Sequence, residues 1–544
     1  MRLPIALFLV ALAVRGLTAA AFEDPAYPDS FYYVNLAREL AAGNGLQVDY
    51  IWNFVEVGGR LPAEGVLPIP SNAHWMPLAA IVQVPFIWLL GPTTLASGLP
   101  FWLAAALAAP LTWAIGRDAG LSRLTSAAGG LLVAIPGAAS PFLAQPDNFG
   151  LFMLLGALSL WACARGLQGD RRWFVLGGLL VGLATLCRND GVLLGVPFAL
   201  AFLADLARRL RSPRTGASRT YVSRIGWRAA LLCVGAFLLV TAPWWLRQWQ
   251  EFGTLSPSSA SGRILWITEY RELYSVSSET TLESFLSQGP EALLSSRLAG
   301  LAAALGIFAT GPLLITMAPF VLIGAWSRRR DTAFTPWIVY AVTLFAFSAL
   351  IFAVHVPQGT FLHSCLALLP HAYLLGFVGI DRTVRAVAAR RRSWDPQRAR
   401  RGFALIAVCA MLLGAVGASV LTTRSWAADQ AVREGMSVAL ADVPPGERLM
   451  SPDAGAYRYH AGRAGIVTPD DPLPVVEAAL RTYDIRWLVL ERAHIVEPLM
   501  PVMRGEVRPA WLSSPVFSLS SETPIPRAVL YAVCFQPADT RCDA

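Results

Sequence analysis

The chain has 544 residues, of which 55% are hydrophobic and 15% charged, and its mean hydropathy is +0.50. Soluble proteins hold roughly 45–50% apolar and 25% charged residues, so this composition excludes a disordered chain, a collagen-like repeat and a large soluble enzyme. The net charge of +8 is unevenly shared: residues 424–544 carry 12 Arg against 15 Asp and Glu, a net of −3, which leaves +11 on the rest. All 44 basic residues are Arg. Lysine nucleophiles and Schiff bases are therefore excluded, and a bound anion must be held by Arg or backbone N–H groups. A nucleic-acid partner is not assigned, because the charges lie in short loops between apolar runs rather than on one face with aromatic residues.

A bilayer core of about 30 Å needs about 20 apolar residues in a helix. Eleven runs meet that pattern, near residues 2–21, 94–116, 124–140, 149–166, 173–187, 191–207, 229–247, 298–326, 336–354, 363–380 and 402–422. Residues 77–91 are short for a span and read as re-entrant or interfacial; if they cross, and another run hides two spans, the range becomes about 11–13 transmembrane helices. In the first run, Arg2, the apolar stretch to Val14 and Ala19-Ala20-Ala21 resemble a cleavable signal. Arg15 interrupts that pattern, so the run is expected to stay as an anchor.

Residues 208–228 hold seven Arg and no acid, which marks a cytoplasmic loop by the positive-inside rule. Arg328 to Arg330, Arg382 to Arg401, Arg117 to Arg123 and Arg165 to Arg172 read the same way. With an odd number of spans the N-terminus is cytoplasmic and the tail lies outside the plasma or inner membrane. The chain then divides into a membrane module, 1–422, with external loops 22–76 and 250–297, and an extracytoplasmic domain, 423–544. In that tail residues 448–451, 464–467, 487–490 and 528–535 read as strands, and 454–460 and 473–483 as helices, which indicates a small α/β domain. Of seven Cys, Cys534 and Cys542 lie in the polar tail, where a disulfide fits an external location.

Loop one opens with a helix in which Tyr33, Leu36 and Leu40 share a face, suited to resting on the membrane surface. Asp29 stands at its start, where it serves either as an N-cap or as a reactive carboxylate. His74, His355 and His363 all fall on the external side, without metal-site spacing. Arg188 and Asp190 sit at an external turn, where charges are costly unless paired or wet.

The segments Asp29-Ser30-Phe31-Tyr32-Tyr33, Ala37 through Gly45, Pro70 through Leu78, Gln145-Pro146-Asp147-Asn148, Gly182 through Gly191 and Ala242 through Arg247 occur in an order and spacing that resemble the C-type (GT-C) membrane glycosyltransferases. The nearest branch is that of the protein O-mannosyltransferases and aminoarabinose transferases, including family 39-like enzymes. The resemblance is carried by residues 1–260, whereas 260–420 match mainly in hydropathy. It implies an α-helical polytopic membrane enzyme that moves one sugar, with inversion, from a polyprenyl-phosphate donor to a hydroxyl of a glycan, lipid or protein.

In this resemblance Asp29 occupies the position of the catalytic base and Asp147 that of the second acid. For Asp147 the alternative is an N-cap; for Arg188, a structural pair with Asp190 or Asp147. Arg188 and Arg247 are the candidates for the donor phosphate, although Arg247 also suits interfacial snorkelling. Asp190, His74, Tyr32, Tyr33, His355 and His363 are further pocket candidates. His74 is followed by Trp75 where many relatives carry Pro, which weakens transfer of a role to it. No cofactor beyond the lipid-linked sugar is required, and no divalent metal is assigned, because Glu23, Asp24 and Asp29 do not form an Asp-X-Asp pattern. Two other classes compete: a transporter or flippase, for which internal repeats and mid-span charges are missing, and a non-catalytic lipid-binding scaffold, which would not need a reactive Asp29.

Overall fold

The computed structural model describes residues 2–211, 225–256, 258–391 and 395–535. All eleven apolar runs fall on helices, but they differ in length. Eight helices are long and apolar enough to cross a bilayer: Arg2–Ala19, Thr94–Asp118, Phe149–Leu167, Asn189–Leu210, Trp227–Phe252, Gly289–Thr310, Thr360–Ala388 and Pro396–Leu440. A pair, Arg123–Ala134 and Gly137–Ala144, bent by 45°, meets the test only when taken together, as a broken span or a re-entrant loop. Arg172–Cys187 and Thr335–Leu350 have 16 residues each, or about 24 Å of helix at 1.5 Å per residue, short of the bilayer core. Among the described residues, full-length spans number eight or nine, and three shorter apolar helices stand beside them. Leu78–Leu90 is a shorter apolar helix still, broken between Ile81 and Val84.

Close packing within the module relies on small residues. A Cβ on Gly324 would collide with the Leu375 carbonyl, and one on Gly379 with that of Phe320, so Ala318–Arg328 and Leu369–Ala388 run with their backbones nearly touching. Arg15, 0% exposed, plays a different role. It donates to the Ser140 carbonyl at 3.1 Å and to that of Ala134, on either side of the bend where the helix ladder is interrupted. A charged side chain inside the module is thus consumed by carbonyls that the bend would otherwise leave bare. The bend leads directly to Gln145, whose Oε1 accepts the Ala26 N–H at 3.1 Å, and to Asp147.

The basic loops gather at the opposite end. Arg400 donates to Ser122 and Thr125 and lies 3.8 Å from Asp381, while Arg165 pairs with Asp118 at 2.7 Å. Residues 212–224 and 392–394, which hold part of the Arg-rich runs, lie outside the described residues.

The tail is tied to loop one by backbone pairing. Loop one supplies β1 (Gln47–Val48), β2 (Tyr50–Ile51) and β3 (Ile69–Pro70); the tail supplies β4 (Arg448–Ser451), β5 (Gly465–Val467), β6 (Ile485–Glu491), β7 (Leu512–Leu519) and β8 (Ala528–Val533). β1 and β3 form an antiparallel ribbon. The other six form one sheet in the order β2-β5-β4-β6-β8-β7, with β2 parallel to β5 through Tyr50↔Gly465 and Ile51↔Ile466. Gly465 is required there, because a Cβ would strike the Leu449 carbonyl of β4. The four strands and two helices read from the tail sequence are present; β7 is additional, with its middle residues exposed and no alternating pattern to announce it. The last span continues through residue 422 as one helix to Leu440. Cys534 is disulfide-bonded; Cys542 lies outside the described residues.

The loop-one helix Pro28–Ala41 does not rest on the membrane surface. Residues 30–36 and Ala37 are buried on all sides, because the tail helix Ala454–Ala461 covers the face opposite the module and Asn35 Nδ2 donates to the Gly455 carbonyl at 2.9 Å. Loop two is fastened to the tail at Asp471, which accepts from Ser275 Oγ at 2.7 Å, from the Val276 N–H at 2.8 Å and from Ser277 Oγ.

Arg15→Leu leaves two buried carbonyls without donors, and each costs about 1–3 kcal/mol. The variant is expected to unfold at a lower temperature than the native chain in detergent or nanodiscs, with Arg15→Lys intermediate; unchanged melting of Arg15→Leu would mean the bend satisfies itself.

Candidate functional site

Pro28 at the first helical position starts the loop-one helix with a pre-set φ and no wasted N–H. Asp29 therefore falls in the first turn, and the N-cap position belongs to Tyr27, which makes no side-chain cap. Asp147 is likewise not the N-cap of the following helix. That place is taken by Asn148, which makes no side-chain cap, and Asp147 Oδ1 accepts the Asn148 N–H at 2.5 Å. Neither carboxylate is spent on capping a helix.

The fold brings Asp29, Asp147 and His363 together. One ligand-type atom from each lies within 4.8 Å of the others: His363 Nε2 is 3.8 Å from Asp29 Oδ2 and His363 Nδ1 is 3.9 Å from Asp147 Oδ2. Asp147 is fully buried, whereas 28% of the Asp29 side chain is exposed, so Asp29 is the member an incoming group meets. The imidazole is stacked on Phe149 with ring centres 3.6 Å apart. Asn148 spends its NH2 on the Tyr33 hydroxyl, at 3.0 Å, so its Oδ1 is the acceptor of the 2.9 Å bond to His363 Nδ1. In the neutral ring that bond leaves the Nε2 lone pair facing Asp29.

Burial, and then the like charge of Asp147, push the Asp29 carboxyl well above the ordinary carboxylate range, with Arg188 pulling in the other direction. Burial raises Asp147 as well, offset by the Asn148 N–H, the Tyr27 hydroxyl that donates at 3.0 Å, and Arg188. Each carboxylate disfavours ionisation of the other. Two carboxylates and an imidazole at this spacing also fit a divalent cation, for which ligand distances of about 2.0–2.2 Å are usual.

The remaining candidates divide by place. Arg188 Nε binds Asp190 Oδ1 at 3.1 Å, and its Nη2 reaches the Thr360 carbonyl and Ser364 Oγ at 3.3 Å; Ser364 in turn donates to Asp190. The pair with Asp190 is therefore formed, and it ties the 188–190 turn to the segment that carries His363. Arg247 makes no direct contact with this cluster. Its Nη2 donates to the Leu46 carbonyl at 3.1 Å, the guanidinium lies over Trp244 and Phe252, and its buried Nη1 has no hydrogen-bond partner among the described residues. Tyr32 is engaged differently from Tyr33: its hydroxyl accepts the Asn72 N–H at 2.7 Å.

His74 lies beside Trp52, with ring centres 5.4 Å apart, and burial lowers it to about 3. Burial also lowers His355, to about 4, and its Nε2 meets the Ile264 carbonyl at 3.3 Å. Neither touches the carboxylates. Sequence reasoning missed Tyr27, Asn148 and Ser364 as partners of the site. Asn148 directly follows Asp147 in the segment 145–148, but nothing in the chain around Tyr27 or Ser364 signals their roles.

Residues 74–245 match the model of the dolichyl-phosphate-mannose-protein mannosyltransferase family. The whole chain superposes on ArnT from Cupriavidus metallidurans bound to undecaprenyl phosphate, with a TM-score of 0.60, 13% identity and 97% of each chain covered. The fold is that of a C-type membrane glycosyltransferase. A second C-type structure, the oligosaccharyltransferase of Archaeoglobus fulgidus, matches with a TM-score of 0.54 and 13% identity over 90% of this chain and 69% of that one. Comparison with curated proteins by sequence gives no significant match. At such identity the C-type fold persists through hydropathy and helix packing, while the family-model match stops short of both Asp29 and Arg247.

Asp147→Asn removes the nearest like charge, so Asp29 is expected to ionise at lower pH than in the native chain. Carboxyl resonances of 13C-labelled aspartate, followed through a pH titration in chelator, measure this; an unmoved Asp29 midpoint would mean that the two carboxylates do not sense each other.

Proposed function

We propose that this chain transfers a single sugar, with inversion, from a polyprenyl-phosphate carrier to an acceptor hydroxyl on the non-cytoplasmic side of the membrane. The observation that carries the reading is the Asp29, Asp147 and His363 cluster, placed under the two large loops of a C-type fold and at the end remote from the basic loops. The mannosyltransferase family model and the undecaprenyl phosphate bound by ArnT support a lipid-phosphate donor.

In this reading the acceptor oxygen attacks the anomeric carbon while Asp29 takes its proton. The bond from the anomeric carbon to the phosphate oxygen breaks on the opposite face, which gives inversion, and polyprenyl phosphate leaves as a stable anion without a general acid. A carboxylate whose proton affinity is raised by burial and by Asp147 is the better base near neutral pH. Asp147 and His363 hold Asp29 in this environment, and Asn148 and Tyr33 hold His363. A divalent cation held by Asp29, Asp147 and His363 would supply Lewis-acid attraction for the donor phosphate, and it would lower the proton affinity of Asp29 instead of raising it.

With Lys absent, the phosphate falls to Arg. Arg188 is already neutralised by Asp190, so Arg247, whose Nη1 has no hydrogen-bond partner among the described residues, is the stronger anchor. Tyr32, His74, Asp190 and His355 remain candidates for contacts to the sugar.

Asp29→Asn keeps the side chain's size but cannot accept the proton. It is expected to abolish transfer from undecaprenyl-phosphate mannose or aminoarabinose to a membrane extract, with melting unchanged; native turnover would remove Asp29 from the mechanism.

For the anchor, Arg247→Gln is expected to weaken binding of undecaprenyl phosphate while leaving undecaprenol unaffected. A charge-assisted contact is worth about 1.5–3 kcal/mol, or about tenfold to a hundredfold in Kd. Equal losses for both lipids would indicate a disturbed fold, and no loss would move the phosphate site to Arg188 or Arg263.

A further inference from the structure

The loop-one helix has two working faces. Successive residues are about 100° apart around a helix, so positions four apart share a face. Asp29 and Tyr33 look into the module, where Tyr33 accepts from Asn148. Phe31, Asn35 and Arg38 lie on the other side, and each of them meets the C-terminal domain or the helix that leads into it.

Phe31, 1% exposed, lies beneath the Arg433 guanidinium, whose central carbon is 5.2 Å from the ring centre. The rings of Tyr459 and His460 each lie 5.5 Å from it. Asn35 donates to the Gly455 carbonyl at 2.9 Å, and Arg38 lies over the Tyr459 ring at 4.4 Å. Arg458 closes the far end by pairing with Glu39 at 3.3 Å and Asp49 at 2.8 Å. Behind this row, Arg433 pairs with Asp453 at 3.0 Å, with both side chains about 5% exposed. Asp453 also caps the helix Ala454–Ala461 by accepting the Ala456 N–H at 3.0 Å. A buried ion pair is costly to desolvate and a hydrophobic pair often serves stability as well; this one joins the last span's helix, the tail helix and Phe31 at a single point.

We propose that the C-terminal domain is a positioning element of the transfer site, and that Arg433, through Phe31 and Asp453, sets the rotation and depth of the helix that carries Asp29. The inference rests on the glycosyltransferase reading for its effect on turnover, but not for the placement of the helix. Arg433 touches neither of the carboxylates nor His363 and is not a catalytic residue.

The test uses the full chain in nanodiscs with three variants: Arg433→Met, Arg433→Lys and Asn35→Leu. With undecaprenyl-phosphate mannose or aminoarabinose as donor, Arg433→Met is expected to lower kcat on the order of tenfold to a hundredfold, as expected for a misplaced reacting group, with the Kd for undecaprenyl phosphate within about twofold of native. Amide exchange is expected to rise in residues 28–41 but not in 149–167, and Arg433→Lys, which keeps the cation, to restore both. Native kcat together with native protection of 28–41 in Arg433→Met overturns the proposal. If the native chain uses neither donor, the glycosyltransferase reading fails, and exchange in 28–41 alone decides the positioning role. If Arg433→Met loses protection in the spans as well, Asn35→Leu, which removes only the Gly455 contact, is judged by the same two outcomes.

Discussion

The constraint on which this molecule turns is the confinement of two carboxylates, Asp29 and Asp147, within reach of one imidazole and largely away from water. Like charges so placed repel, and burial removes the solvent that would soften the repulsion. The surroundings answer with directed partners: the Asn148 N–H and Tyr27 hydroxyl on Asp147, the Arg188 cation nearby, and a histidine held by its own hydrogen bond to Asn148. Much of the neighbouring backbone exists to keep these groups still. Pro28 starts one helix, the bend after Ala134 delivers Asp147, and Arg15 occupies the carbonyls that the bend exposes.

Enclosure comes from parts of the chain far apart in sequence. Loop one contributes a strand to the tail's sheet, and loop two is clasped by Asp471. The loops and tail therefore make one cover rather than three appendages. That arrangement explains why the loop-one helix is buried around its whole circumference, although its sequence is amphipathic enough to lie at a membrane surface.

The exclusive use of Arg has different consequences at different sites. Arg433 and Arg463 are buried among protein partners and act as ties; Arg463 holds the Leu440 and Val443 carbonyls at and just past the end of the long helix. Arg188 is paired and links two segments of the module. Arg247 lies over Trp244 and Phe252 and retains a donor without a partner among the described residues. One residue type thus serves as a buried tie, as half of an ion pair and as a cation with an open donor, and only its neighbours separate these states.

Sequence alone determined the membrane class, the positions of the eleven helical runs and the α/β character of the tail, and it singled out Asp29 and Asp147 as candidates, with His363 one of several further ones. These follow from local properties: run length, charge at loop ends, and short segments whose residue types resemble a known family. Tertiary structure decided which helices reach full spanning length, that β2 of loop one joins the tail, and that Asp29 and Asp147 are not caps. It also decided that His363 meets the carboxylates while His74 and His355 do not. The joining of β2 to the tail and the choice of His363 depend on contacts between residues more than 100 positions apart, such as Tyr50 with Gly465 and His363 with Asn148, and no local pattern encodes a distance across the fold.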